Sequence, residues 1–447
     1  MFKKIEIWIL YLVIFLGFVF AVGFGVLVRQ ELVSDNKLGW ISKFALNLAE
    51  IPANLRKVAL GDLQIQDRFE SISGFQGTPN DQESFLLLSR FDGDLNEGIV
   101  EIIDLTSFEI LHTWNPDIDS INDLVEKNDE FKNLDRDYNN SRKLLVHPKL
   151  TTDGGLWFGW ESPLSKIDTC SKLIFQIDHD NFHHSIETDL NGNIWAPSYP
   201  YPQSLDNKKV GSDPKDFRDN AIVQLSADGK VLFEKSVSQI LIDNGLEYLL
   251  FGHGSKFDSD PVHLNDIQPA NFDSDYWKKG DLFLSLRNQS MILLYRPSTN
   301  KIIWKGTGKF FMQHDVDILD DHRISIFNNN SKNLFGGFSI DGNNEVIIYD
   351  FKTNNYSTYL SDSLLDHNVK TPNQGRGTIL TNGDLFIEET YYGRALYFNA
   401  DGSLRWTHVN RAGDGKVYAV GWSRILYTKE DIQTVKNFLT NKGTCNE

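Results

Sequence analysis

The alternation of apolar and polar positions divides the chain into three parts. The first holds IWILYLVIFLGFVFAVGFGVLV, which runs from Ile7 to Val28 without a charge. At ~1.5 Å per residue, about 22 residues span ~33 Å, close to the ~30 Å apolar thickness of a bilayer. A cleavable signal peptide has a shorter apolar region of ~7–15 residues and a small-x-small cleavage site. Ala21-Val22-Gly23 is a poor version of that site. Residues 1–29 therefore predict an uncleaved N-terminal transmembrane anchor. Lys3 and Lys4 precede the span and Arg29 follows it, a bias that favours a cytoplasmic N-terminus. The rest of a single-pass chain would then lie outside the cytoplasm, in the periplasm or extracellular space.

The second part, residues 30–67, carries SDNKLGWISKFALNLAEIPANLRKVAL, with apolar residues at helical spacing and Pro52 interrupting them. It predicts a stalk and packing helix. The third part, residues 68–427, changes period. Short apolar or alternating runs such as ESFLLLSRF, GIVEIIDL, GDLFLSLR and MILLYRPSTNKIIWK are broken by Gly, Asn, Asp and Pro. That pattern predicts an all-β body of short strands. Hairpins of one template recur, among them SADGKVLFEK near Asp228 and NADGSLRWTH near Asp401. About six units begin near Phe69, Leu144, His183, His263, His314 and Pro372. Repeats of four short strands predict a six-bladed β-propeller. Insertions are expected at about Ile118–Asn140 and Ile240–Asp260. Residues 428–447 predict a capped amphipathic helix and a tail.

Composition narrows the function. A net charge of −17 excludes a sequence-general nucleic-acid binder, which needs basic patches to displace counterions. Two cysteines exclude a disulfide scaffold or a multi-cysteine metal centre. Cys170 and Cys445 leave both a disulfide and a free thiol open.

Three of the eleven histidines fall in segments that look alike: HHSIETDLNGNIW, HLNDIQPANF and HDVDILDDHRISIF. In this register His184, His263 and His314 each open a blade, with a carboxylate three residues later at Glu187, Asp266 and Asp317. The innermost strand of each propeller blade lines one channel, so equivalent positions converge on the axis. Asn265 shares a strand face with His263. Arg287 ends an apolar strand, where a charge is otherwise costly. Arg376, in NQGRG, opens the last unit and is a further candidate for the channel. His183 is expected on the face opposite His184, and His147, followed by Pro148, reads as structural. Three imidazoles can hold a transition metal. They can also, with arginine and amide donors, grip a tetrahedral oxyanion and supply a nucleophile. A cation inside the cluster favours the anion, so no metal and no cofactor are expected.

These segments, with DPVHLNDIQPA, GDLFLSLRNQSMILLY, FMQHDVDILDDHRISIF and NQGRGTILTNGDLFI, resemble the bacterial arylsulfate sulfotransferase (arylsulfotransferase, ASST) family, which works without a nucleotide sulfate donor. The resemblance implies a six-bladed propeller with its active site in the central channel. It implies ping-pong transfer of a sulfuryl group from an aryl sulfate to a phenolic acceptor, through a transient sulfohistidine at His314. His184, His263, Asn265 and Arg287 match the family's anion-holding and proton-handling positions. The chain departs from better-known members in having a membrane span where they carry a separate N-terminal β domain. Two rival readings remain: a non-enzymatic membrane-anchored propeller scaffold or binding module, and a metal-dependent propeller hydrolase. The first expects an unremarkable channel, the second a carboxylate-rich one.

Overall fold

The computed structural model describes residues 6–32, 38–60, 63–211, 216–252, 257–334, 337–441 and 445. The chain divides into two compact units, residues 1–62 with 251–258, and residues 63–250 with 259–447. In the first unit the apolar run forms one helix, Ile7–Leu32. Its stretch Ile7–Gln30 is, among the described residues, the one segment long and apolar enough to cross a membrane. Lys3 and Lys4, on which the expected orientation rests, lie outside the described residues. A second helix, Trp40–Leu60, runs past Pro52. The proline removes one N–H and interrupts the hydrogen bonding without ending the helix.

The second unit is a propeller-like array of antiparallel sheets. Four are separate. One has the order Arg424–Leu426, Phe85–Asp92, Glu97–Asp104, Glu109–Trp114; the next two run Leu264–Pro269 to Lys301–Thr307 and Val316–Ile318 to Asn355–Tyr359. The last runs Arg376–Ile379 to Leu404–Val409, and Gly74–Gly77 adds to its outer edge. Between the first and second of these lies one sheet of eight strands from Lys149–Leu150 to Val231–Ser236. Separate blades were expected there. The ten-residue strand Leu173–Phe182 outruns its own meander, so Phe182 and Asn181 pair with Ser198 and Tyr199 and join two four-strand groups.

The array closes on itself through its two ends. Gly74–Gly77, early in the body, completes the last sheet, while Arg424–Leu426, late in it, is the inner strand of the first. The first unit thus begins at Arg424–Leu426 and not near Phe69 as its spacing implied.

Alternation explains why sheets stack. In Leu282–Leu286, Leu282, Leu284 and Leu286 pack with Trp195, Val237 and Ile240, whereas Phe283 packs with Trp277, Val316 and Ile326. Successive side chains serve opposite neighbours, so a strand in the middle of its sheet is apolar on both faces. Each such buried side chain contributes roughly 1.5–3 kcal/mol.

The acidic insertion folds into short helices Ile118–Asn122 and Leu134–Asp137 over a small core of Val125, Phe131 and Leu134. The second insertion forms Val237–Asp243, capped by Ser236, and Tyr248–Phe251. Its residues 253–256 lie outside the described residues. The terminal helix Lys429–Asn441 starts at a capping box: Asp431 N–H donates to Thr428 Oγ1 and the Asp431 carboxylate accepts from Thr428 N–H. Cys170 and Cys445 form a disulfide.

Candidate active site

Side chains and amides of successive inner strands bond to one another. Ile186 N–H donates to His147 Nδ1 (3.0 Å), Ile267 N–H to Ser185 Oγ (3.2 Å), Val316 N–H to Asp266 Oδ2 (3.0 Å) and Gly377 N–H to Asp315 Oδ2 (3.3 Å). These contacts also fix the register. His184 and His314 lie two residues before Ile186 and Val316, and Asn265 lies two before Ile267. His263 sits two residues further back. The three histidines therefore do not share one repeat position; His184, Asn265 and His314 do. His263 has a left-handed backbone (φ 50°), and the strand after it carries a bulge between Leu264 and Asp266. Both re-aim the side chain away from plain alternation.

The rings nevertheless converge. His184 lies with its centroid 5.1 Å from His263 and 6.2 Å from His314. Trp422 packs against three histidines, at 5.2 Å from His147, 6.1 Å from His184 and 6.0 Å from His314. Trp160 stands edge-on to His184 at 4.9 Å.

Hydrogen bonds assign the tautomer of His314. Its Nδ1 faces two acceptors, Asn329 Oδ1 at 2.6 Å and Met312 O at 3.1 Å, so the proton sits on Nδ1. Its Nε2 lone pair accepts from Gln374 N–H at 3.0 Å. Gln374 has φ 54° and the adjoining Gly375 φ 90°; a Cβ on Gly375 would lie 2.7 Å from Glu388 O, which explains the glycine in NQGRG. Burial first, then Arg287, pushes the His314 pKa well below its ordinary value. His184 is likewise lowered by burial, then by His183, His263 and His314. Both rings are neutral at pH 7. His263 Nδ1 lies 2.5 Å from Asp260 Oδ2. Burial raises the Asp260 carboxyl, yet His263 and Arg218 hold it below its ordinary value.

His183 does not point away from His184. Their Nδ1 atoms lie 2.7 Å apart, because the left-handed backbone at His184 (φ 57°) breaks the strand alternation. Arg287 is buried; its Nη1 donates to Asn288 Oδ1 at 2.9 Å, and its Nε has no partner in the protein. Asn265 spends an Nδ2–H on Gln313 O (3.1 Å), and its Oδ1 is unpartnered. Buried polar atoms left without a partner cost about 1–3 kcal/mol each, which marks a place for a polar ligand. Gln313 itself turns to the preceding sheet, donating to Ser285 Oγ, Leu286 O and Met291 O.

Arg376 belongs to a second, charged layer. Its Nη1 lies 2.9 Å from His147 Nε2 and its Nε 3.5 Å from Asp315 Oδ2. Arg424 bonds Glu187 at 3.0 Å and Pro148 O at 3.0 Å in the same layer. Burial pushes Asp266, Asp315 and Asp317 up to about 7. The carboxylates three residues after the histidines thus tie strands together. Among the described residues, two groups of His and acid side chains lie close enough to share a cation, His179–Asp180–Glu234 and Asp320–Asp321–His322, and neither includes a candidate site residue. An open cleft of about 180 Å³, lined by Asn80, Asp384, Tyr397, Arg405 and Tyr427 among others, also contains none of them.

Sequence reasoning missed Asn329, Asp260 and Trp422. Asn329 stands in an Asn-rich strand end and Asp260 three residues before His263, signals that were present but faint. Trp422 enters through ring closure, which no local pattern displays.

The second unit is an all-β propeller-like body with a buried centre of histidine and arginine side chains. A match to the arylsulfotransferase (ASST) family extends over residues 147–411, more than half of the chain, and the chain belongs to that family. No curated protein matches it. Solved structures similar to it include a protein of unknown function from Bacteroides caccae, 10% identical, covering 77% of this chain and 99% of that one, with a TM-score of 0.47. A streptogramin B lyase is 12% identical over 78% of this chain and 96% of its own, with a TM-score of 0.38. A virginiamycin B lyase from Staphylococcus aureus is 11% identical over 59% and 69%, with a TM-score of 0.33.

Proposed function

We propose that the protein is a nucleotide-independent aryl-sulfate sulfotransferase working by a ping-pong mechanism through a sulfohistidine at His314. The observation that carries this reading is the His314 tautomer: Asn329 holds the proton on Nδ1, which leaves Nε2 as a neutral nucleophile inside a ring of anion-binding groups. Sulfuryl transfer needs an in-line nucleophile, charge neutralisation on the sulfate oxygens and a proton for the departing phenolate. In the first half-reaction His314 Nε2 bonds to sulfur and the S–O(aryl) bond breaks. Gln374 N–H, which now caps Nε2, turns to a sulfate oxygen as sulfur takes its place. Arg287, Asn265, His184 and His263 hold the remaining oxygens, and the phenol departs. In the second half an acceptor phenol attacks sulfur, and the S–Nε2 bond breaks.

Arg376, a candidate substrate contact by sequence, takes a positioning role here through His147 and Asp315 and adds positive potential from the neighbouring layer. Treating the eight-stranded sheet as two fused blades gives six blades in all. The proposed organisation is a membrane anchor over residues 1–29, a stalk over 30–67, the propeller over 68–427 and a helix and tail over 428–447. The propeller would work outside the cytoplasm on small aryl sulfates and phenols.

The test is brief exposure to 4-nitrophenyl sulfate followed by mass spectrometry of the His314 peptide. A sulfated His314 is expected, absent from His314→Ala. Wild-type turnover by His314→Ala would end the nucleophile assignment.

A further inference from the structure

The His183–His184 contact has a property that neither ring has alone. Both rings are buried, at 2% and 4% exposure, and their Nδ1 atoms face each other at 2.7 Å. Two neutral imidazoles at that distance share one Nδ1 proton between them. Each neutral ring carries one proton, so the two Nε2 atoms have opposite states. When His184 donates through Nδ1, its own Nε2 is bare and His183 carries Nε2–H. When His183 donates, His184 carries Nε2–H and His183 Nε2 is bare. The outer end, His183 Nε2, is buried and has no hydrogen-bond partner in the protein. His183 is held by a stack on Tyr199 at 4.0 Å, so the ring is fixed while its proton is not.

Resting on the functional reading above, we propose that His183 is a positioning residue and proton relay that switches His184 between proton donor and proton acceptor, once per half-reaction. In the first half His184 Nε2–H protonates the departing phenolate oxygen. The His183 Nδ1 proton moves to His184 Nδ1, and His183 Nε2 takes a proton from water. In the second half the bare His184 Nε2 takes the acceptor's phenolic proton as its oxygen bonds to sulfur. The His184 Nδ1 proton returns to His183 Nδ1, and His183 Nε2 loses its proton to water. Each half-reaction thus passes one proton between phenol and water and leaves both rings neutral. The pair starts each turnover in the tautomer it began the last one with.

Neutrality is what the surroundings favour. Burial, then His263, sets the His183 pKa at about 3, with Asp260, Arg218 and the Ser198 carbonyl also acting on it. His263, His314 and Arg287 oppose charge on His184. An imidazolium intermediate would be costly here, whereas a tautomer exchange adds no charge.

The experiment uses enzyme loaded with 4-nitrophenyl sulfate, whose weakly basic phenolate leaves at a rate that depends little on acid help, and follows its discharge to two acceptors. Phenol must give up a proton to react; pentafluorophenol is already ionised at the assay pH. His183→Phe keeps the stack on Tyr199 and removes both nitrogens. It is expected to load at nearly the wild-type rate and to discharge to pentafluorophenol nearly normally. Discharge to phenol should slow on the order of 10²-fold, the usual loss for a missing general base. His183→Gln, which can hydrogen-bond His184 but cannot pass a proton through, should show the same selective loss. Equal loss with both acceptors, or no loss with phenol, in the variant that folds overturns the relay. A wild-type protein that never loads His314 overturns the functional reading instead, a result visible before any variant is made.

Discussion

His314 Nδ1 and Asn329 Oδ1 lie 2.6 Å apart, and Asn329 has no freedom to let go. Its Nδ2 donates to Thr371 O at 3.1 Å and Gln374 O at 2.7 Å, so its oxygen can face only the imidazole. One asparagine therefore sets both the tautomer of the proposed nucleophile and the shape of the loop that caps it.

Asn329→Ala should lower the rate of His314 sulfurylation on the order of 10²-fold, the scale of a small misplacement of a reacting group. KM should change less than kcat. Asn329→Asp keeps an acceptor for Nδ1–H but turns a second oxygen on Thr371 O and Gln374 O, so it should recover only part of the activity. Pre-steady-state release of 4-nitrophenolate measures both. An Asn329→Ala protein with an unaltered burst would show that Met312 O alone holds the tautomer.

Arg287→Ala should raise KM for aryl sulfate and lower kcat together, because the guanidinium meets the anion in both ground and transition states. A loss on the order of 10²–10³ in kcat/KM is expected for a donor aimed at developing charge. Steady-state kinetics decide the matter. Unchanged kcat with raised KM would reduce Arg287 to uniform binding.

The first half-reaction should stay active on the acid side of neutrality. An ordinary imidazole titrates near ~6.5, but His314 is held well below that value by burial and then by Arg287. A nucleophile with a depressed pKa loses its lone pair only at correspondingly lower pH. The burst rate should show no fall with a midpoint near ~6.5. A midpoint there would place the reactive ring in a solvent-like site.

Asp317→Asn should stabilise the protein more in mild alkali than in mild acid. Burial, then Asp315, pushes the Asp317 carboxyl up to about 7, above the ~3.9 of an unfolded chain. The folded state thus binds this proton more tightly, so the group's contribution is complete at low pH and disappears as pH rises through about 7. Asparagine stays neutral throughout. Thermal melts near ~pH 5 and ~pH 8 should show a Tm gain for the variant that is clearly larger at the upper value. A larger loss at the upper pH would mean that the charged form, 3.9 Å from Arg376, is the stabilising one.

Local chemistry was readable where local rules apply. The strand pattern of GDLFLSLR and the capped helix after Thr428 follow from spacing and turns. The position of His263 was not readable: it sits two residues behind the place that His184, Asn265 and His314 share, and the look-alike segments hide that offset. His183 was misplaced because a positive φ at His184 cancels the alternation on which its direction was judged. Arg376 looked like an open cation in sequence, but partners from other strands, His147 and Asp315, occupy it. Arg424 opens an inner strand that pairs with Phe85–Leu87, more than three hundred residues away, and Trp422 lies two residues before it. Periodicity carries no record of such a pairing.

That last pairing also puts a clock on assembly. Synthesis delivers Gly74–Gly77 early and Arg424–Leu426 late, yet both must be in place before the ring shuts. A nascent chain that already holds His184, His263 and His314 still lacks the Trp422 ring against which His184 and His314 pack. Products that stall or are clipped before Trp422 would therefore carry all three histidines and lack the ring on which two of them pack.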